Sequence, residues 1–321
     1  MNRTAFTALT SAALCSPLFG PRVAGAQQAV NLKIGVPQTQ DIAQVLYAVK
    51  SGLFAKAGLN VELVGLVNGA AISAAVAGGT LQIGESSLGG LISGHARGIP
   101  FQLIAPAGVY SSDDPYAAML VRKDTPIASA RDLNGKTVAS PALKDLDWLA
   151  SASWMDQNGG DFKSTKAVEM PNPALLPALL EGRIDAYTVG EPWMTRALDS
   201  GKVRVVGKSF GAIAPRFLMT GWFATSDYIE HNRDVIDRFN RAMRDSTIYA
   251  NAHKAEMIPL IAEYLKLDPA LIARTMKGAE GEYLDPALIQ PMIDASAKYG
   301  LIDRGFSAND LISPAALKRP R

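Results

Sequence analysis

Leu32-Lys33-Ile34-Gly35-Val36-Pro37, then Asp41 to Ser51 with apolar residues at Ile42, Val45, Leu46 and Val49, then Gly58-Leu59-Asn60 leading into Val61 to Leu66: this stretch decides the fold. A short continuous apolar run stopped by proline reads as a buried strand, and the helical spacing after it reads as a helix. Gly52-Leu53-Phe54 closes that helix, and Val61 to Leu66 is the second strand. Ala70 to Ala77, stopped by Gly78-Gly79, is a small-residue helix. Leu81-Gln82-Ile83-Gly84 makes a third strand, Ser87 to Ala96 a helix, and Phe101 to Pro106 a fourth strand. Strands alternating with helices require a mostly parallel sheet covered by helices on both faces.

The same rhythm restarts downstream. A turn at Asp132-Leu133-Asn134-Gly135-Lys136 precedes a strand at Thr137 to Ala139, a helix over Asp145 to Gln157 and a strand at Ala167 to Met170. A helix at Ala174 to Glu181, a strand at Asp185 to Val189, a helix at Trp193 to Asp199 and a strand at Val203 to Val206 complete it. After one more strand, Phe217 to Ala224, the pattern becomes helical. Asp227 to Ala252 reads as one long helix, followed by Glu256–Leu265, Pro269–Met276, Pro286–Tyr299 and Ala308–Ile312, with Pro269 and Pro286 as first-turn prolines. The expected architecture is α/β: two lobes, with chain crossings near Tyr116–Arg122 and Phe217–Ala224 and a helical C-terminal tail packed back on the first lobe.

The length, 321 residues, accommodates two domains of roughly 150 residues. With 48% hydrophobic residues the chain is neither disordered nor fibrous. Its 32 Lys+Arg against 30 Asp+Glu, without basic blocks, argue against nucleic acid as the main partner. Three histidines and one cysteine leave little for a transition-metal site. Met1 to Ala26 holds no acidic residue, starts with a short positive region ending at Arg3, continues apolar from Ala5 to Phe19 and closes on Ala24-Gly25-Ala26. That is the pattern of a cleavable export signal, residues 1–26. Cleavage removes Arg3, Arg22 and Cys15, leaving a cysteine-free, charge-balanced mature chain suited to a periplasm.

Four landmarks then resemble a known family: Gly52 to Glu62, Ala77 to Gly84, Asp132 to Ala139, and Gly182-Arg183-Ile184-Asp185-Ala186 followed by Glu191-Pro192-Trp193. In this order they resemble the periplasmic substrate-binding proteins of ABC importers for nitrate, sulfonates and taurine, a family that includes pyrimidine-precursor binders. The resemblance implies two flavodoxin-like lobes joined by two crossover strands, the type II periplasmic binding protein fold. Lobe one would be 27–117 with 224–321, and lobe two 118–223. It further implies a monomeric receptor that captures a small organic anion or zwitterion of the sulfonate or carboxylate class. The captured solute would pass to an ABC permease coupled to an ATPase subunit.

Ligands of open parallel sheets bind beyond the carboxyl ends of the strands, so the loops there carry the candidate site. Gln38 and Thr39 face an anion at a helix start, with Asp41 either a contact or the cap of its helix. Ser86 and Ser87 donate to an anionic group or cap the next helix. Glu85 holds an amine or pairs with Lys144 or Arg216 across the cleft. Lys144-Asp145 stands where relatives often carry a glycine-serine or glycine-threonine pair, which makes Lys144 a candidate charge on the solute. Glu191 holds an amine or forms a hinge-side pair, and Trp193, Tyr110 and Tyr116 are candidate walls. Enzymatic alternatives need a nucleophile with a base, or a metal. His95 sits at a helix end, His231 and His253 read as solvated, and no Gly-x-Ser-x-Gly elbow or phosphate-binding glycine loop occurs. The sequence therefore reads as a non-enzymatic receptor with no cofactor and no nucleic-acid partner. Presentation of the ligand to a sensor, and pyrimidine-precursor chemistry on the same fold, are the alternatives.

Overall fold

The computed structural model describes residues 29–275 and 278–319; the export-signal reading of residues 1–26 lies outside them. Two five-stranded sheets organise the chain. In the first, Val30–Val36 pairs in parallel with Leu59–Gly65 on one side and Ile83–Ser87 on the other. Thr220–Thr225 then inserts antiparallel between Ile83–Ser87 and Phe101–Pro106. In the second, Thr137–Ser140 pairs in parallel with Lys166–Glu169 and Ala186–Gly190, and Ala117–Arg122 lies antiparallel between Ala186–Gly190 and Val203–Gly207. Each sheet thus receives one reversed strand from a chain crossing.

A small third sheet joins the two. Gly108–Ser111 is flanked by Arg216–Leu218 and Ala279–Glu280, all antiparallel. The sequence shows Phe217 to Ala224 as one strand. The chain instead leaves this small sheet at Leu218 and enters the first sheet at Thr220, with Met219 bridging them: its N–H donates to Gly108 O at 2.8 Å and its carbonyl accepts from Leu88 N at 2.8 Å. The long tail helix is likewise divided. Ser226–His231 ends at Asn232, whose side chain donates back to Tyr228 O at 2.9 Å, and Arg233–Ala252 continues.

The tail packs where its apolar stripes direct it. Trp222 and Phe223 on the inserted strand are fully buried, Trp222 edge-on to Phe239 of Arg233–Ala252. Met257, Ile261 and Ile272 close over Ala43, and Pro286–Lys298 contributes Ile289, Met292 and Ile293 to the largest core cluster. Asp285 caps that helix by accepting from Ala287 N at 2.9 Å, with Pro286 in the first position. Gly207 permits the closest approach in the second lobe, since a Cβ there would lie 2.1 Å from Trp154.

Candidate functional site

Six parallel strands, three from each sheet, end on opposite sides of one cleft, and a cavity of about 500 Å³ lies between them. That volume suits a small organic solute. From the first lobe the lining comes from the loops after Val30–Val36 and Leu59–Gly65 and from the end of Ile83–Ser87. From the second it comes from the loops after Thr137–Ser140, Lys166–Glu169 and Ala186–Gly190.

In the first lobe, Gln38 is exposed at the mouth, and the Thr39 hydroxyl is buried without a protein partner. Asp41 lies deeper and does not cap its helix. Ala43–Lys50 begins after Ile42, with no side-chain cap, and Asp41 Oδ2 instead accepts from Thr220 Oγ1 at 2.9 Å. Glu85 is 0% exposed in the middle of the first sheet, opposite Trp222. Its carboxylate accepts no well-formed hydrogen bond, because the neighbouring Thr220 hydroxyl donates to Asp41. Ser86 Oγ is buried and unpartnered, and Gly69 leaves it room: a Cβ at 69 would come within 2.2 Å of it.

Two helix starts of the second lobe are taken by its own acids, while Asn172–Leu180 begins at the cavity without a side-chain cap. Asp145 is the cap of Leu146–Gln157, accepting from Leu146 N at 2.7 Å. It also reaches across the cleft to accept a short hydrogen bond from Ser87 Oγ, and Ser87 in turn caps Leu88–Ala96 by accepting from Gly90 N at 3.3 Å. Glu191 caps Trp193–Asp199, accepting from Thr195 N at 3.0 Å and from Thr195 Oγ1 at 2.8 Å. Tyr116, from the crossing, donates to Glu191 O at 3.0 Å, and Trp193 and Phe210 add apolar wall.

The result is acidic. Asp41, Glu85, Asp145, Asp147, Glu169 and Glu191 line the cavity, and among the described residues no lysine, arginine or histidine does. Burial, reinforced by the charge of Asp41, pushes the Glu85 carboxyl well above its ordinary range. Burial and then the neighbouring Asp145 raise Asp147 to about 8. Burial also raises Asp145, against the opposing hydrogen bond from Ser87.

Lys144 is not brought to the cleft. It is exposed in a left-handed turn at φ +55°, outside the cavity lining, and Arg216 is exposed on the small sheet. Neither forms an ion pair with Glu85. Tyr110 is core rather than wall, buried against Phe210 and Phe217. His95 packs at a tilt against Phe306, while His231 and His253 are exposed. Sequence reasoning missed Asp147, Glu169 and Thr220. Asp147 had a signal, an acid in the first turn of a helix whose start faces the cleft; Thr220 had none, since its place depends on a strand inserted from far along the chain.

The lobes touch around the cavity. Arg274 of Pro269–Thr275 makes a bidentate pair with Asp199, at 3.0 and 2.6 Å. Lys298 Nζ and Tyr299 OH both donate to Asp156 Oδ2 at 2.8 Å. Together with Ser87–Asp145, these contacts describe a closed cleft.

The profile of a family described as NMT1/THI5 like matches residues 39–257. An aliphatic sulfonates-binding protein of Bacillus subtilis (strain 168), so named provisionally, is 22% identical over 304 residues, 91% of this chain and 89% of its own. The taurine-binding periplasmic protein of Escherichia coli (strain K12) is 26% identical over 223 residues, 68% of this chain and 66% of its own. Among solved structures, the periplasmic aliphatic sulphonate binding protein SsuA from Escherichia coli superposes with a TM-score of 0.73 at 20% identity, covering 88% of this chain and 97% of that one. The shared fold is the two-lobed α/β architecture of periplasmic binding proteins.

Proposed function

The chain belongs to the NMT1/THI5-like family, and we propose that it is a periplasmic solute receptor. It captures a small organic solute between its lobes and delivers it, as a monomer, to an ABC permease driven by an ATPase subunit. The observation that carries this reading is the cavity of about 500 Å³ bounded by the carboxyl ends of parallel strands from both sheets. A site built half from each lobe is completed only when the lobes meet, so solute binding and closure are linked. Closed and open forms then differ in the surface they offer a permease. Of the anion or zwitterion expected from the sequence, the zwitterion accords with the lining, because its ammonium group answers the carboxylates.

The receptor has no need of bond chemistry. Asp145 and Glu191 are occupied with helix starts, and the named relatives carry binding-protein names. The test is a thermal melt of the chain from Gln27 onward against amines, amino acids, sulfonates, carboxylates, nitrate and pyrimidines. A solute at a hundredfold its Kd stabilises by about 2.7 kcal/mol, a shift of several degrees, and is recovered unchanged. Recovery of a converted solute would replace receptor by enzyme.

A further inference from the structure

An anion held by a protein cleft is stabilised most by cationic side chains and free helix N-termini. Among the described residues this cleft has no cationic side chain in its lining, and most of its second-lobe helix starts are taken. Three helices there begin at the cavity: Leu146–Gln157 and Trp193–Asp199 already hold carboxylates of the chain, Asp145 and Glu191, while Asn172–Leu180 has no side-chain cap but carries Pro173 in its first turn, which removes one N–H from that end. Asp145 also engages, through Ser87, the start of Leu88–Ala96 in the first lobe. The protein's own acids thus stand where a sulfonate or carboxylate would be received.

The floor makes the opposite demand. Glu85 is fully buried, faces the cavity and has both carboxylate oxygens unpartnered. Asp41 beside it is 8% exposed, with Oδ1 unpartnered. A buried acid without donors is costly in an empty protein, and a ligand bearing N–H donors and positive charge removes that cost. Tyr116 and Trp193 supply ring surface for the rest of such a ligand. Arg196 covers one face of Trp193 at 5.4 Å and is not itself in the lining.

We propose that the selecting group of the solute is a cationic nitrogen, a protonated amine or amidine, held by Glu85 and Asp41 at the floor of the cleft, and that an acid group on the solute is dispensable. This rests on the receptor reading and names its solute class. The raised Glu85 carboxyl accords with it, since a group that ionises reluctantly in the empty cleft ionises readily against a cation.

The test titrates the chain from Gln27 onward with benzamidine, benzylamine, benzoate, benzenesulfonate and taurine by calorimetry, each solute also run in thermal melts. The expected result is one-site binding of benzamidine or benzylamine, and no binding of benzoate or benzenesulfonate at the same concentration. Glu85→Gln is expected to weaken the cation at least tenfold while raising the melting temperature of the solute-free protein, because it removes an unpartnered buried acid. Asp41→Asn supplies the same comparison should Glu85→Gln fail to fold. Tighter binding of benzenesulfonate or benzoate than of either cation overturns the cation assignment and leaves the receptor standing. So does cation binding that neither variant alters. Tighter binding of taurine than of either cation overturns the dispensability of the acid group. Silence from all five overturns the cation assignment and leaves the receptor reading to the wider melt panel.

Discussion

Gly89 lies in the first turn of Leu88–Ala96, where Asp145 of the opposite lobe arrives on closure. A Cβ at position 89 would lie 2.8 Å from Asp145 Oδ1 and 3.2 Å from Leu146 N. The oxygen cannot simply swing aside, because Leu146 N and Ser87 Oγ both hold it. Gly89→Ala therefore acts oppositely on the two states. With the lobes apart, alanine favours the helix over glycine by up to about 1 kcal/mol, so the solute-free melting temperature holds or rises. With the lobes together, Asp145 must give up its bond from Ser87, and a hydrogen bond to a charged group is worth about 1.5–3 kcal/mol. That corresponds to roughly a 10- to 150-fold shift toward the open form, which reappears as weaker apparent affinity. The assay is an interlobe distance distribution between spin labels at exposed Lys50 and Lys202. Labelling is clean because the only cysteine, Cys15, precedes residue 27. An unchanged distribution and affinity would refute the reasoning, as would a solute-free loss of stability matching the loss of affinity.

Three further outcomes follow from the same geometry. Asp147, raised to about 8, stays protonated in the fold at pH values where the unfolded chain has ionised it, so the fold loses stability as pH rises from about 4 to 8. Asp147→Asn should flatten that slope and stabilise the protein near pH 8 by up to about 5 kcal/mol; parallel calorimetric curves for variant and parent would contradict this. Lys144→Gly relieves a left-handed lysine and should stabilise by about 1 kcal/mol in a urea melt without touching solute affinity; a loss of affinity would restore Lys144 to the site. Arg274→Ala with Lys298→Ala removes both ion-pair clasps and should widen the interlobe distance, most visibly at low salt; a salt-independent, unchanged distance would show the clasps to be idle.

Much of the scaffold was legible because strand and helix periods are local. The turns at Gly52, Gly58 and Gly182, each at positive φ, stand where the sequence signals them. The C-terminal helices start at Pro269 and Pro286 as their prolines require. What the sequence concealed depends on distant partners. Glu85-Ser86-Ser87 reads as a polar loop, yet Thr220–Thr225 ladders onto it and extends the strand to Ser87. The single strand expected over Phe217 to Ala224 divides because two sheets compete for it.

The cleft loops were identifiable from their place after strands, but their electrostatic sign was not. Lys144 and Asp145 are adjacent in sequence, and only the left-handed turn at Lys144 separates the exposed lysine from the acid that enters the cleft. A residue-by-residue reading counts both charges toward the site, while the fold admits one.

Small-angle scattering with and without the best-binding solute of the panel tests the central claim most directly. Capture between two lobes predicts a smaller radius of gyration at saturation, and a return toward the open value in Gly89→Ala at equal solute. A saturated protein whose radius of gyration does not change would contradict capture by closure.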